Sequence, residues 1–198
     1  MKWKADHAFV KVNGRTLYRD GMRVLGYTAT GVTFRFKGKK ASAVLLSDVE
    51  GRTQDSLAWM AVFVNDQTTP AKRFPLKEAE AEYTLYESDQ AAEVTITLMK
   101  YSEVEYAKCL IKEIITDSDT LLAPPQPKKR KMLIIGDSIT CGYGVEGAVE
   151  DEIFCTAKEN PSKAYSLLTA QELDAEYQIV AWNGKGVISA YIGEEEDE

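Results

Sequence analysis

Apolar and polar residues alternate through much of the first 123 positions. Val32, Phe34 and Phe36 are separated by Thr33 and Arg35, and Val94, Ile96 and Leu98 by Thr95 and Thr97. Successive strand side chains point to opposite faces, so each run predicts a strand with one face buried. Residues 83–85 form a shorter run of the same kind. Residues 43–46, 59–64 and 110–115 are more continuously apolar, which suits strands in the core of a sandwich. Turn-forming pairs separate the runs: Asn13-Gly14, Asp20-Gly21, Gly38-Lys39, Glu50-Gly51, Asn65-Asp66 and Ser88-Asp89. No helical repeat of useful length occurs before residue 124. Short strands at this spacing predict a β-sandwich of jelly-roll type over residues 1–123.

The pattern then changes. Pro124, Pro125 and Pro127 cannot donate to a β-ladder and hold the chain extended, so residues 124–131 read as a linker. Its basic run, Lys128 to Lys131, resembles a nuclear-localisation patch but leads directly into an apolar segment, so it reads as the solvated start of a strand. Residues 132–135 predict a buried strand. Asn160 and Pro161 predict a helix start, with Asn as cap and Pro in the first position. Ala164, Leu167, Leu168, Ala170 and Leu173 continue an apolar face to about Asp174. Residues 177–182 predict the next strand, ended by Asn183-Gly184-Lys185-Gly186. Strand, helix, strand is a βαβ unit with parallel strands and a right-handed crossover. It brings the two strand ends, marked by Ser138 and Gly184, to one edge of the sheet. The run from Glu194 to Glu198 is acidic and expected to fray.

Composition narrows the function classes. The chain has 198 residues, 44% hydrophobic and 28% charged, an ordinary globular balance sufficient for one large or two small domains. A formal net charge of -7 argues against nucleic acid or an anionic membrane as partner. No apolar stretch approaches membrane-spanning length, and Met1-Lys2-Trp3-Lys4 leads into polar sequence without a readable signal peptide. Cys109, Cys141 and Cys155 are too few and too scattered for a disulfide framework or a metal site, and no cofactor is called for. Cys141 reads as a small buried residue.

The chemistry concentrates after the strand at 132–135. Gly136 ends that strand and Asp137-Ser138 follows in a turn, with a second small-residue turn at Gly142-Tyr143-Gly144. A serine there stands at the carboxyl end of a sheet strand, where open α/β sheets hold their ligands. Turn amides stabilise negative charge, so Ser138 is the candidate nucleophile and its own amide a candidate oxyanion donor. Gly136-Asp137-Ser138-Ile139-Thr140 resembles the first motif block of the SGNH (GDSL-type) serine esterases. The longer run 136–147, with Thr156-Ala157-Lys158-Glu159-Asn160 and Ala164-Tyr165, resembles family 2 carbohydrate esterases. These carry a β-sandwich ahead of an SGNH domain and remove acetyl groups from plant polysaccharides. Gly14-Arg15-Thr16 and residues 31–38 resemble the amino-terminal domain of the same family.

The resemblance implies a partial α/β SGNH-hydrolase domain with a parallel sheet over residues 132–198, with Asp137 supporting the motif. It also implies an acetylated polysaccharide or oligosaccharide as partner and a secreted or periplasmic location. Gly184-Lys185-Gly186-Val187 resembles the second block, which makes Gly184 an oxyanion donor, with Asn183 where relatives often have Ser. Trp3, Trp59, Tyr18 and Tyr27 are candidates for stacking on sugars, although Trp59 and Tyr27 fall in strand patterns and read as core. Asn65-Asp66 lacks the glycine of the family's Gly-x-Asn-Asp block and precedes the nucleophile, so it reads as a hairpin turn. The family's base is a His in a late Asp-x-x-His block, whereas the single histidine here, His7, precedes Ser138 and reads as a surface or turn residue. The chain thus resembles the front portion of an esterase. Two readings follow: a serine carbohydrate esterase, very weak as the 198-residue chain alone, or a non-catalytic β-sandwich binding or interaction protein with a relic esterase segment. An exposed parallel edge would also invite self-association.

Overall fold

The computed structural model describes residues 1–148, 153–186 and 188–190. Nine strands fill the first 116 residues: β1 (Lys2–Trp3), β2 (Val10–Asn13), β3 (Leu17–Arg19), β4 (Met22–Leu25), β5 (Gly31–Ser47), β6 (Trp59–Val64), β7 (Lys72–Pro75), β8 (Glu80–Lys100) and β9 (Cys109–Thr116). They form one antiparallel sheet in the order β3-β4-β9-β5-β8-β6-β7, with β1 added to β9 and β2 to β5. Its inward residues, among them Val32, Phe34, Phe36, Leu45, Met60, Ile96, Leu98, Ile111 and Ile114, make one buried cluster. Each large aliphatic or aromatic side chain so buried contributes about 1.5–3 kcal/mol.

Two turn signals were misleading. Gly38-Lys39 and Ser88-Asp89 do not reverse the chain, because β5 and β8 run through them. The register passes from Gly38↔Ala92 to Lys40↔Glu87, so residues 88–91 of β8 stand opposite Lys39 alone. The Asp117 carboxylate fixes the irregularity by accepting the Lys39 amide at 2.9 Å. Such bulges bend a strand and increase its twist. They let two long strands curl, so the expected sandwich takes the form of a continuous sheet wrapped round its core. By contrast, Asp20-Gly21 turns the β3–β4 hairpin and Asn65-Asp66 follows β6 into its pairing with β7.

The remainder comprises β10 (Arg130–Gly136), α1 (Ser138–Cys141), 3-10 turns at Thr156–Lys158 and Pro161–Lys163, α2 (Tyr165–Glu172) and β11 (Ala175–Ala181). The strand begins inside the basic run, two residues before the expected start. β10 and β11 pair in parallel from Arg130↔Ala175 to Gly136↔Ala181, as the βαβ pattern requires. Asn160 does cap, accepting the Ser162 amide at 2.9 Å, but it opens a 3-10 turn, and the α-helix starts at Tyr165. Ala164, extended at φ -80° and ψ 149°, separates the two.

The parallel pair is not a separate body on a tether. A second apolar cluster joins Ala29, Ala61, Phe63, Met99 and Tyr101 of the large sheet and its loops to Cys141, Leu167, Ile179 and Ala181. Polar contacts surround it: Tyr177 donates to the Ala29 carbonyl at 3.1 Å, the Tyr101 and Ser162 hydroxyls lie 2.7 Å apart, and Lys11 meets Glu176 at 2.5 Å. The outer face of β10 is bare by comparison, with Leu133 62% and Ile135 68% exposed. No helix among the described residues is long and apolar enough to cross a membrane.

Candidate active site

Ser138 opens α1 directly behind β10, rather than standing in an irregular turn, and is half-buried. The local sequence dictates this. Asp137 is extended (φ -116°, ψ -154°) and its carboxylate accepts the Ile139 amide at 3.0 Å, capping the helix. Asp137 thus acts on the backbone of the serine turn. Gly136 is required by close approach, since a Cβ there would lie 1.9 Å from Thr140 Oγ1. Thr140 Oγ1 lies 2.8 Å from the Tyr165 hydroxyl, and Ser166 Oγ donates to the Thr140 carbonyl at 2.8 Å. These two bonds clamp the serine turn to α2.

The facing wall comes from the end of β11. Trp182 donates its amide to the Gly136 carbonyl at 3.2 Å, extending the parallel pairing past the last strand residue. The chain then turns through Asn183 and Gly184, and Gly184 has φ 67°, a left-handed conformation natural to glycine. Lys185 closes this turn by donating to the Trp182 carbonyl at 3.1 Å. Asp137, Ser138, Asn183, Gly184, Gly186, Ser189 and Ala190 line one open cavity. The amides of Ser138 and Gly184 donate to no described residue. Val187 and the acidic run from Glu194 to Glu198 lie outside the described residues.

Behind the Asn183 turn stand two groups that the sequence did not single out. Glu103, in the loop between β8 and β9, and Glu159 are both fully buried. Glu103 Oε2 accepts the Asn183 amide at 2.5 Å, and Glu159 Oε2 accepts the Glu103 amide at 3.0 Å. Burial, together with the Glu103 carboxylate, pushes Glu159 up to about 9, and burial also raises Glu103. In the sequence Glu159 is one residue of the segment 156–160 that resembles the family, and Glu103 carries no signal at all.

Other candidates stand elsewhere. His7 sits between Trp3 and Phe9, with ring centroids 5.2 and 5.8 Å away, and its Nδ1 accepts the Phe9 amide at 3.1 Å. It is a turn histidine and lines no part of the Ser138 cavity. Asn65 Oδ1 accepts the Thr95 amide at 3.0 Å, a hairpin role. Trp59 packs on the second cluster with Arg73 5.7 Å from its ring centroid, Tyr18 lies under Arg23, and Trp3 donates to Thr116 Oγ1. Cys141 is buried with its thiol pushed far up by desolvation, so it stays a neutral packing group. Nearer the cavity, Tyr143 stacks on Phe154 at 3.6 Å, and Tyr106 lies beside both.

Residues 12–125 match the family described as carbohydrate esterase 2 N-terminal. Over 194 residues the chain is 26% identical to an acetylxylan esterase / glucomannan deacetylase of Cellvibrio japonicus, covering 98% of this chain and 52% of that protein. A solved family two carbohydrate esterase from the same organism superposes with a TM-score of 0.86 at 24% identity, over 96% of this chain and 54% of that one. One from Clostridium thermocellum, in complex with cellohexaose, gives 0.82 at 27% identity, over 93% of this chain and 55% of that one. The chain thus spans about half the length of these relatives. With more than half of its own residues matched by the family, the chain belongs to carbohydrate esterase family 2.

Proposed function

We propose that Ser138 is the nucleophile of a carbohydrate esterase that removes O-acetyl groups from plant polysaccharide. Its Oγ attacks the acetyl carbonyl, the carbonyl oxygen takes up negative charge, and the sugar hydroxyl leaves with a proton. Water then cleaves the acetyl-serine. The amides of Ser138 and Gly184 are the oxyanion donors in this reading, and Asp137 holds the first of them in place. The observation that carries it is the convergence of Ser138 and Gly184, whose amides no described residue engages, on one cavity of a family 2 chain. On this reading residues 1–123 are the family's jelly-roll sandwich, 124–131 the linker and 132–198 part of an SGNH-hydrolase domain. The natural setting is secreted or periplasmic, where polysaccharide is met.

A serine hydroxyl needs a base, and the one histidine of these 198 residues is not at the cavity. The 198-residue chain is therefore a very poor catalyst, slower than a complete enzyme by on the order of 10⁴-fold or more. That observation also favours the second reading, a carbohydrate-binding module that retains the serine turn. Hydrolysis of 4-nitrophenyl acetate tests both, using this chain, its Ser138→Ala variant, and the chain extended with the carboxyl-terminal half of the Cellvibrio relative. The first two should be indistinguishable, and the third should turn over in a Ser138-dependent way. Ordinary enzymatic rates from the short chain would overturn the account of the base. An extended chain indifferent to Ser138→Ala would overturn the nucleophile.

A further inference from the structure

Glu103 and Glu159 meet side chain to side chain in a site with no solvent exposure. One oxygen of each is engaged, by the Asn183 and Glu103 amides respectively, while Oε1 of each finds no donor among the described residues. Buried oxygens without donors are costly, and two adjacent carboxylates repel. A single proton between them answers both problems, because it removes one charge and supplies the missing donor. Lys100, fully buried and pushed below its ordinary range by desolvation, donates to the Gly26 and Glu103 carbonyls at 2.6 and 2.8 Å, so the positive charge beside the pair is itself a costly one. Arg73 reaches the Glu159 carbonyl at 3.0 Å, and Glu105 adds a like charge. The remaining neighbours, the Cys141 thiol and the Tyr106 and Tyr143 hydroxyls, are neutral.

We propose that Glu103 and Glu159 form a carboxylate–carboxylic acid pair sharing one proton, and that this pair positions the Asn183–Gly184 turn against Ser138. Glu159 carries the proton, and Glu103 stays ionised and holds the Asn183 amide. The pair bridges three segments that lie far apart in the chain: the β8–β9 loop, the residues just before α2, and the end of β11. Neither carboxyl lines the cavity, so both are positioning residues. The inference rests on the reading of Gly184 as an oxyanion donor and says what aims it. Loss of the proton leaves two buried charges against one ammonium. The carboxylates then separate, and Asn183 loses a fixed acceptor one residue before Gly184.

The test is a ¹³C-detected NMR titration of the ¹³C,¹⁵N-labelled chain from about pH 5 to 10, read at backbone carbonyl and Cα carbons, a range spanning the raised Glu159. The Asn183 and Gly184 peaks should move together on one curve, far above the ordinary carboxyl range. In Glu159→Gln, whose side-chain amide is a permanent donor, both peaks should keep the parent's low-pH positions throughout. Glu103→Gln, which keeps an acceptor for Asn183 but removes the charge, should likewise show no alkaline transition. Static peaks in the parent, or a transition in Glu159→Gln matching the parent's, would overturn the proposal. If a variant does not fold, the parent titration still decides. Hydrolysis is not the readout, so failure of the esterase reading and failure of this one are distinguishable.

Discussion

Gly136 and Arg73 show how single residues fix the serine turn and the segment before α2, respectively. A methyl group at 136 would meet Thr140 Oγ1 at 1.9 Å and Thr140 Cβ at 2.8 Å, and neither can retreat while Tyr165 and Ser166 clamp Thr140. Gly136→Ala should therefore destabilise by about 1–3 kcal/mol or more, read as a lower urea midpoint, with partial recovery in Gly136→Ala/Thr140→Ala. Full stability in the single variant would contradict the packing. Arg73 reaches from β7 to the Ala157 and Glu159 carbonyls at 2.8 and 3.0 Å and lies 5.1 Å from the Tyr101 ring centroid. Charge-assisted bonds contribute roughly 1.5–3 kcal/mol each, so Arg73→Ala should cost about 2–4 kcal/mol in denaturant unfolding. Lys at this position should rescue only in part, because an ammonium can donate to both carbonyls but lacks the planar guanidinium that lies over the Tyr101 ring. The glycine was legible in the motif. The arginine was not, because the carbonyls it reaches lie more than eighty residues away.

The elements were legible where their reason is local. Alternation marks β5 and β8 because one face of each meets the core, and Asn160-Pro161 marks a helical turn because both residues act on their own backbone. Gly38-Lys39 and Ser88-Asp89 misled because a bulge uses the same residues as a turn, and only the pairing of β5 with β8 distinguishes the two. The pair β10–β11 leaves unpaired edges among the described residues and an apolar face at Leu133 and Ile135, joined by Ile139 at 71% exposure. We expect the 198-residue chain to self-associate through this surface, with sedimentation velocity showing a concentration-dependent rise. Leu133→Lys with Ile135→Lys should weaken that association. A strictly monomeric parent at high concentration would refute it.

At the scale of the molecule, the buried carboxyl pair makes stability depend on pH. The folded protein keeps the Glu159 proton from the usual 4.5 up to about 9, whereas the unfolded chain releases it near 4.5. Between those values the native state binds more protons, so stability falls as pH rises. The contribution is complete below about 4.5 and gone once pH passes through about 9. Thermal unfolding should show a falling melting temperature across this window, and Glu159→Gln should flatten that decline. A parent whose melting temperature rises from neutral to alkaline pH would contradict the assignment. The strand-rich first part, the parallel βαβ unit after the prolines and the place of Ser138 just behind a strand are written in the sequence. Each of these depends on side-chain periodicity or on backbone chemistry within a few residues. The continuous, curled sheet, the ties that Arg73 and Tyr177 make between the two parts, and the meeting of Glu103 with Glu159 behind Gly184 become visible only in the folded chain. Those features join residues far apart in the chain, and the desolvation that gives the carboxyls their character exists only once the chain has closed around them.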